Sequence, residues 1–403
     1  MTEEPPIPTP ARDAAPRLFD DAAAHDDSYF AAPYGLFARQ KLRAMVGRKL
    51  IVAREPIEPD QFQPASLDLR LGTEAYRVRA SFLPGRARTV MEHLRSLKPE
   101  RISLSGDGAV LEKGIVYVAP LMESLNLLTS LSGAANPKSS TGRLDIFTRL
   151  IADRGEAFDD VPPGYKGPLY IEISPRSFGV RVRAGSRLNQ IRFRSRHPKH
   201  AQVYDFALKD EDLKAIHAAT PLVDGELNLR DGLIVRVALG GSDGQIVGYR
   251  AVKNGEVIDV DKPGAYRAQD FWEPLRVRAD KRLILDPDEF YILASAEKMQ
   301  IPADLAAEMA PIDPAIGEFR VHYAGFFDPG FGVTADGRPG ARAVLEVRSR
   351  DVPFLLEDGQ PVGRLVYERL ADRADELYGA TAVSNYQGQG LKLSKHFRAF
   401  GEG

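Results

Sequence analysis

The stretch Leu111-Glu-Lys-Gly-Ile-Val-Tyr-Val-Ala-Pro-Leu-Met-Glu-Ser-Leu-Asn-Leu127 has a counterpart downstream, Leu285-Asp-Pro-Asp-Glu-Phe-Tyr-Ile-Leu-Ala-Ser-Ala-Glu-Lys-Met-Gln-Ile301. Tyr117 falls on Tyr291 and Glu123 on Glu297, both at a spacing of 174. The same spacing returns farther along, where Glu172 meets Glu346, Arg176 meets Arg350, Gly185 meets Gly359 and Phe193 meets Tyr367. One spacing held across two distant blocks reads as two homologous copies of a domain.

Each copy reads as β-rich. Ile115-Val-Tyr-Val118 and Phe290-Tyr-Ile-Leu293 are short apolar runs after turn-like residues, the pattern of buried strands. Leu169-Tyr-Ile-Glu-Ile173 and Ala343-Val-Leu-Glu-Val347 form a second matched pair, and Val180-Arg-Val-Arg183 alternates toward a turn at Gly185. With 35 Gly and 29 Pro to supply turns, many short strands in a barrel or jelly roll is the natural architecture. Helices are expected to be few, at Phe37 to Val46 and at Leu208 to Ala219 before Pro221.

Composition sets the outer bounds. At 403 residues the chain is too long for one ordinary core and suits two domains. Lys+Arg 54 against Asp+Glu 56 gives a net charge of −2, which argues against a nucleic-acid coat. No apolar run approaches the roughly 18 residues of a membrane helix, and the Pro-rich start lacks the core of a signal peptide. The expected compartment is therefore the cytoplasm. There is no cysteine, which excludes disulfides, thiol nucleophiles and Cys-ligated zinc.

The expected layout begins with a poorly ordered extension over 1–34 and a first domain over 35–205. A helical connector over 206–222, a second domain over 223–375 and a C-terminal tail over 376–403 follow. That tail, Ser384-Asn-Tyr-Gln-Gly-Gln-Gly-Leu-Lys-Leu-Ser394, lies outside the repeat and reads as either a frayed end or a lid over a ligand.

Two features could carry chemistry. Pro137-Lys-Ser-Ser-Thr-Gly-Arg143 packs two cations, three hydroxyls and a glycine into seven residues, either a polar surface loop or a cradle for phosphate oxygens. Glu172 alternates with Leu169, Ile171 and Ile173; it is either a solvated strand carboxylate or, beside a pocket, a desolvated proton carrier. The seven histidines form no strong constellation, and no metal site is expected from protein ligands alone.

Together these segments resemble the dCTP deaminases of the dUTPase-like superfamily. The resemblance rests on Lys138-Ser-Ser-Thr-Gly-Arg143, the turn at Pro163-Gly164, Gly167 and Leu169-Tyr-Ile-Glu172. Ser66-Leu-Asp-Leu-Arg-Leu-Gly72 upstream, Gln190-Ile-Arg-Phe193 downstream and Asn385-Tyr-Gln-Gly-Gln389 in the tail extend it. The whole chain is similar to the long fused bacterial deaminases. The fold this implies is mainly β: two tandem dUTPase-like distorted β-barrel or jelly-roll domains with few helices.

The resemblance also implies roles. Glu172 matches the general acid/base, and Ser139, Arg143 and the Ala152 carbonyl complete the catalytic set. Lys138, Ser140, Tyr170, Ile171, Tyr386 and Gln389 match substrate contacts, with Asn385 where the family usually has Lys. The first copy has Pro162 in place of the Asp of the family's Asp-Pro-Gly turn, while the second keeps it as Asp328-Pro-Gly. The second copy in turn lacks the serine loop and reads Ile312-Asp-Pro-Ala-Ile-Gly317, so Glu346 is expected to be structural. Complementary losses imply a composite site: Glu172 and the loop from copy one, Asp328 or the tail from copy two.

The implied reaction is hydrolytic, zinc-free conversion of dCTP to dUTP and ammonia, with Mg2+ brought on the triphosphate. Alternatives are a bifunctional enzyme that continues to dUMP and a non-catalytic nucleotide sensor. Homo-oligomers with sites at domain or subunit interfaces, and feedback by dTTP, follow from the resemblance; neither nucleic acid nor membrane is an expected partner.

Overall fold

The computed structural model describes residues 28–31, 33–195, 206–311, 320–322, 325–349, 351–379 and 390–400. The N-terminal extension up to residue 27, the Ile312 to Gly317 stretch, and Tyr386 and Gln389 of the tail lie outside the described residues. What is described is mainly β, and its longest helix is Asp210–Ala219.

Among the described residues each half holds three sheets, and two of them share a strand order apart from Gly35–Leu36 and Ile51–Ala53, which the first half adds. In the first half one sheet runs Glu100–Ser103, Glu74–Val78, Val116–Asn126, Lys166–Pro175, Ile146–Ala152. In the second half the order is Trp272–Arg276, Ile246–Ala251, Tyr291–Met299, Ala341–Arg348, Arg320–His322. A second sheet joins Leu67–Leu69, Asn189–Ser195, Leu131–Pro137 and Asp160–Val161; its counterpart joins Leu233–Arg236, Pro361–Arg369, Leu305–Pro311 and Phe326–Phe327.

Side-chain devices recur with the strands. The Tyr117 hydroxyl accepts the Glu112 N–H at 3.0 Å, and the Tyr291 hydroxyl accepts the Asp286 N–H at 3.0 Å. The Arg70 backbone N–H and Nε both donate to Glu123 at 2.8 Å, and Arg236 does the same to Glu297 at 3.0 and 2.6 Å. A buried carboxylate needs such donors, so the matched glutamates are held by matched arginines.

The third sheet breaks the match. Ala109–Leu111 and Val180–Val182 in the first half correspond to Arg282–Leu285 and Phe354–Glu357 in the second. Only the first pair gains a third strand, Ile258–Asp259 from the second half, running parallel to Val180–Val182.

The halves are also locked by their cores. Phe178 meets Trp272 at 5.7 Å between ring centroids, and Trp272 meets Phe397 of the C-terminal segment at 5.9 Å. Burying one such ring contributes roughly 1.5–3 kcal/mol. Polar contacts add direction: the fully buried Arg192 reaches the Ala307 carbonyl at 2.9 Å and the Asp328 carboxylate at 2.9 Å. Leu208 and Leu213, expected as a connector, pack in the second half's core.

The expected helices are found at Arg39–Gly47 and Asp210–Ala219. A third, Val90–Leu97, goes beyond the sequence reading. Its start is written as Thr89-Val-Met-Glu92, where the Thr89 hydroxyl accepts the Glu92 N–H and the Glu92 carboxylate accepts the Thr89 N–H.

Candidate active site

A cavity of about 720 Å³ opens between the halves. That is ample for a nucleotide-sized ligand. The serine loop forms one wall. Lys138 is extended, and Ser139–Gly142 then makes a single helical turn, closed by Gly142 N–H to the Lys138 carbonyl at 3.0 Å and Arg143 N–H to the Ser139 carbonyl at 3.1 Å. Lys138, Ser139, Ser140 and Arg143 all line the cavity.

The carboxylate facing this loop is Glu346, on the strand Ala341–Arg348 of the second half. A Cβ added to Gly142 would stand 2.6 and 2.8 Å from the two Glu346 oxygens. A side chain at position 142 would therefore have to displace the Glu346 carboxylate. Burial pushes the Glu346 carboxyl well above the usual carboxylate range; the Arg143 guanidinium opposes that rise and the Asp145 carboxylate adds to it.

Glu172 is placed elsewhere. It is buried, yet it does not line the cavity. Its Oε1 accepts from Arg149 Nε at 3.1 Å and Nη2 at 2.7 Å, while Oε2 is buried without a hydrogen bond. Arg149 sits directly across the strand pair from Glu172 and stacks on the Phe158 ring, 3.5 Å from its centroid. Within this chain Glu172 does not stand beside Ser139 and Arg143, because the loop turns toward the opposite half.

Ala152, Tyr170 and Ile171 stay with Glu172. The Ala152 carbonyl accepts the Gly155 N–H at 3.1 Å, Tyr170 packs with Val78, Val90 and Leu94, and Ile171 lies in the first-half core. None of the three lines the cavity. The repeat spacing carries Tyr170 and Ile171 to Val344 and Leu345, and Val344 does line it. Asp328, from the second half, stands in the wall with its carboxylate bonded to Arg192.

Sequence reasoning missed other wall residues. Asp68 pairs with Lys138, and Arg187 pairs with Glu58 and Asp60. From the C-terminal segment, Arg143 Nη1 donates to the Lys392 carbonyl at 3.0 Å and Ser394 Oγ donates to the Ser140 carbonyl at 2.9 Å. His396 Nδ1 lies 2.9 Å from Ser394 Oγ, and its Nε2–H donates to the Val260 carbonyl at 2.8 Å. No spacing rule links Ser140 to a residue 254 positions away.

Known proteins match nearly the whole chain that builds this cavity. Residues 33–197 match the N-terminal domain model of 2'-deoxycytidine 5'-triphosphate deaminase, and residues 209–397 match its C-terminal domain model. A crystal structure of 2'-deoxycytidine 5'-triphosphate deaminase from Agrobacterium tumefaciens is 51% identical, with a TM-score of 0.78, covering 84% of this chain and 99% of that one. The chain belongs to the dCTP deaminase family.

Among curated dCTP deaminases, one named dUMP-forming from Mycolicibacterium vanbaalenii is 29% identical over 157 residues, 38% of this chain and 77% of the relative. Another of that name, from Kocuria rhizophila, is 32% identical over 119 residues, 28% of this chain and 58% of the relative. These matches cover 38% and 28% of the chain, whereas the Agrobacterium dCTP deaminase covers 84% of it.

Proposed function

We propose that this dCTP deaminase hydrolyses the cytosine amino group of dCTP in the cavity between the serine loop and Glu346, releasing dUTP and ammonia. The observation that carries the reading is the approach of the Glu346 carboxylate to Gly142 beside Arg143. In this reading each half is a dUTPase-like barrel, one supplying the loop and the other the proton carrier. The matched strand orders support that duplication.

The chemistry follows from the groups present. Glu346 takes a proton from a water as its oxygen bonds to C4, then delivers a proton to the departing amine. A carboxyl raised by burial is suited to both tasks near neutral pH. Arg143 and the loop hydroxyls offset charge developing in the water and pyrimidine. The sequence has no cysteine, and among the described residues no three His, Asp or Glu side chains cluster as a metal site. Magnesium would accordingly arrive on the triphosphate, held by phosphate oxygens and water.

The name dUMP-forming carried by the Mycolicibacterium and Kocuria relatives favours a second reading, in which the triphosphate is also cleaved. An assay of ammonia, pyrophosphate and nucleotide products from dCTP, dCMP and CTP, with and without magnesium, separates the two. Ammonia with dUTP supports the first reading, pyrophosphate with dUMP the second. Binding of dCTP without ammonia release would overturn both.

A further inference from the structure

The serine loop and the strand of Glu346 meet through a second pair of charges. In the loop, Arg143 is followed two residues on by Asp145; in the strand, Glu346 is followed two residues on by Arg348. Side chains two apart on a strand share a face, and Ala343, Leu345 and Val347 of the other face lie in the second-half core. The charges are therefore crossed between the halves. Arg143 of the first faces Glu346 of the second, and Arg348 of the second is bonded to Asp145 of the first.

The backbone and side chain of Asp145 are both committed to this place. Its N–H donates to the Gly142 carbonyl at 2.8 Å, and its φ of 56° lies in the left-handed region, where residues other than glycine are uncommon. Its carbonyl accepts the Arg176 N–H at 2.9 Å, and its carboxylate accepts the Ser177 hydroxyl at 2.6 Å as well as the Arg348 guanidinium. Arg348 is held from behind, its Nη1 donating to the Asp288 carbonyl at 2.5 Å. Both side chains are buried, and neither lines the cavity. A buried ion pair adds little stability over apolar residues of the same volume, so stability alone does not account for it.

The first copy has no such arginine at its own glutamate. The spacing of 174 puts Ser174 in the place of Arg348, and the Ser174 hydroxyl is buried without a hydrogen bond among the described residues. The cation two residues beyond the glutamate belongs to the copy that meets the loop.

Resting on the dCTP deaminase reading above, we infer that Asp145 and Arg348 are positioning residues for Glu346: by joining the halves beside it, they hold Arg143 and the serine loop against its carboxylate without touching substrate. The charged groups around Glu346 are Arg143 and Asp145 from the loop and Arg348 from its own strand, with Ile292 and His322 beside it in register on the flanking strands. Arg143 draws the Glu346 carboxyl down and Asp145 pushes it up. Removing the Asp145 charge must therefore bring the carboxyl down, and removing Arg348, which offsets Asp145, must send it up.

The test is the pH profile of kcat/KM for dCTP in the full-length Asp145→Asn and Arg348→Gln proteins. Asn keeps the shape of Asp and tolerates the left-handed turn, so the loop backbone is retained. The acid limb is expected at lower pH in Asp145→Asn and at higher pH in Arg348→Gln, opposite shifts from the two ends of one pair. Loosening the loop is expected to lower kcat of Arg348→Gln by roughly 10–100-fold, with KM within about threefold because neither side chain lines the cavity. Limbs that stay in place, or that move the same way in both proteins, overturn the inference; with a lowered denaturant midpoint they leave the pair as a brace between the halves. Carbon-13 NMR of the Glu346 carboxyl, assigned by its loss in Glu346→Gln, follows the same titration without turnover. If the unmodified protein releases no ammonia, the proposed reaction fails by itself; opposite carboxyl shifts in the two variants then still uphold the positioning of Glu346, and unmoved ones remove it.

Discussion

Glu172 and Glu346 occupy the same place in two copies of one strand order, and both are buried beside an arginine. The arginines differ in origin. Arg149 belongs to the strand next to Glu172, bonds it through two nitrogens, and is fixed by Ser81 and Phe158. Arg143 comes to Glu346 from the opposite half, and a 720 Å³ cavity opens in the same place. In the proposed reading, the carboxylate tied to its own sheet is structural, and the one met by a loop from the opposite half, with space for a ligand, carries the chemistry. The source of the counter-charge is what separates the two matched positions.

Exchanging the carboxylates is the sharpest way to break this comparison. Glu346→Gln is expected to lower kcat by about 10²–10⁴-fold, the usual yield of a positioned proton carrier. Glu172→Gln should stay within about threefold, and the reverse ranking would return the chemistry to the first half. Stability separates the sites in the other direction. Arg149→Ala leaves Glu172 buried and unpaired, a loss of about 2 kcal/mol once the quarter-exposed guanidinium is discounted. Denaturant midpoints read this directly, and adding Glu172→Gln should restore much of the loss; a midpoint unmoved by Arg149→Ala contradicts the pairing.

The pH profile sharpens the contrast further. Arg143 opposes the upward shift of Glu346, so Arg143→Gln must raise that carboxyl again. The acid limb of kcat/KM is then expected at higher pH than in the unmodified protein, while Glu172→Gln leaves the limb in place. The smallest effect concerns the clamp that only the Glu346 site possesses. Burial pushes His396 down to about 4 from its ordinary 6.5, so between these values the unfolded chain binds the extra proton. Its contribution to stability is complete above about 6.5 and fades as the pH falls toward 4. His396→Gln should flatten that part of the curve, and an unaltered slope excludes His396 as its source.

The β-rich class and the loop that lines the cavity were legible because each is written in local pattern. The match of Glu172 to Glu346 was legible too, but which of them meets the loop depends on the direction in which Ser139–Gly142 leaves its sheet. That direction goes with long-range contacts of the loop to Ser394 and Lys392, which no periodicity in residues 137–143 records. The helix at Val90–Leu97 is a different kind of miss. Its Thr89 to Glu92 capping box is a local signal, but it marks only eight helical residues in a chain dominated by strands.

The strand Ile258–Asp259 and the ring of Phe397 have a consequence for biosynthesis. Val180–Val182 emerges from the ribosome with one sheet edge bare, and it is capped only after some eighty further residues have been made. The core around Trp272 closes later still, once Phe397 has been made. Domains made first usually fold first. Here the first half is completed by Ile258–Asp259 and Phe397, so its folding waits on residues that the second half and the C-terminal segment supply.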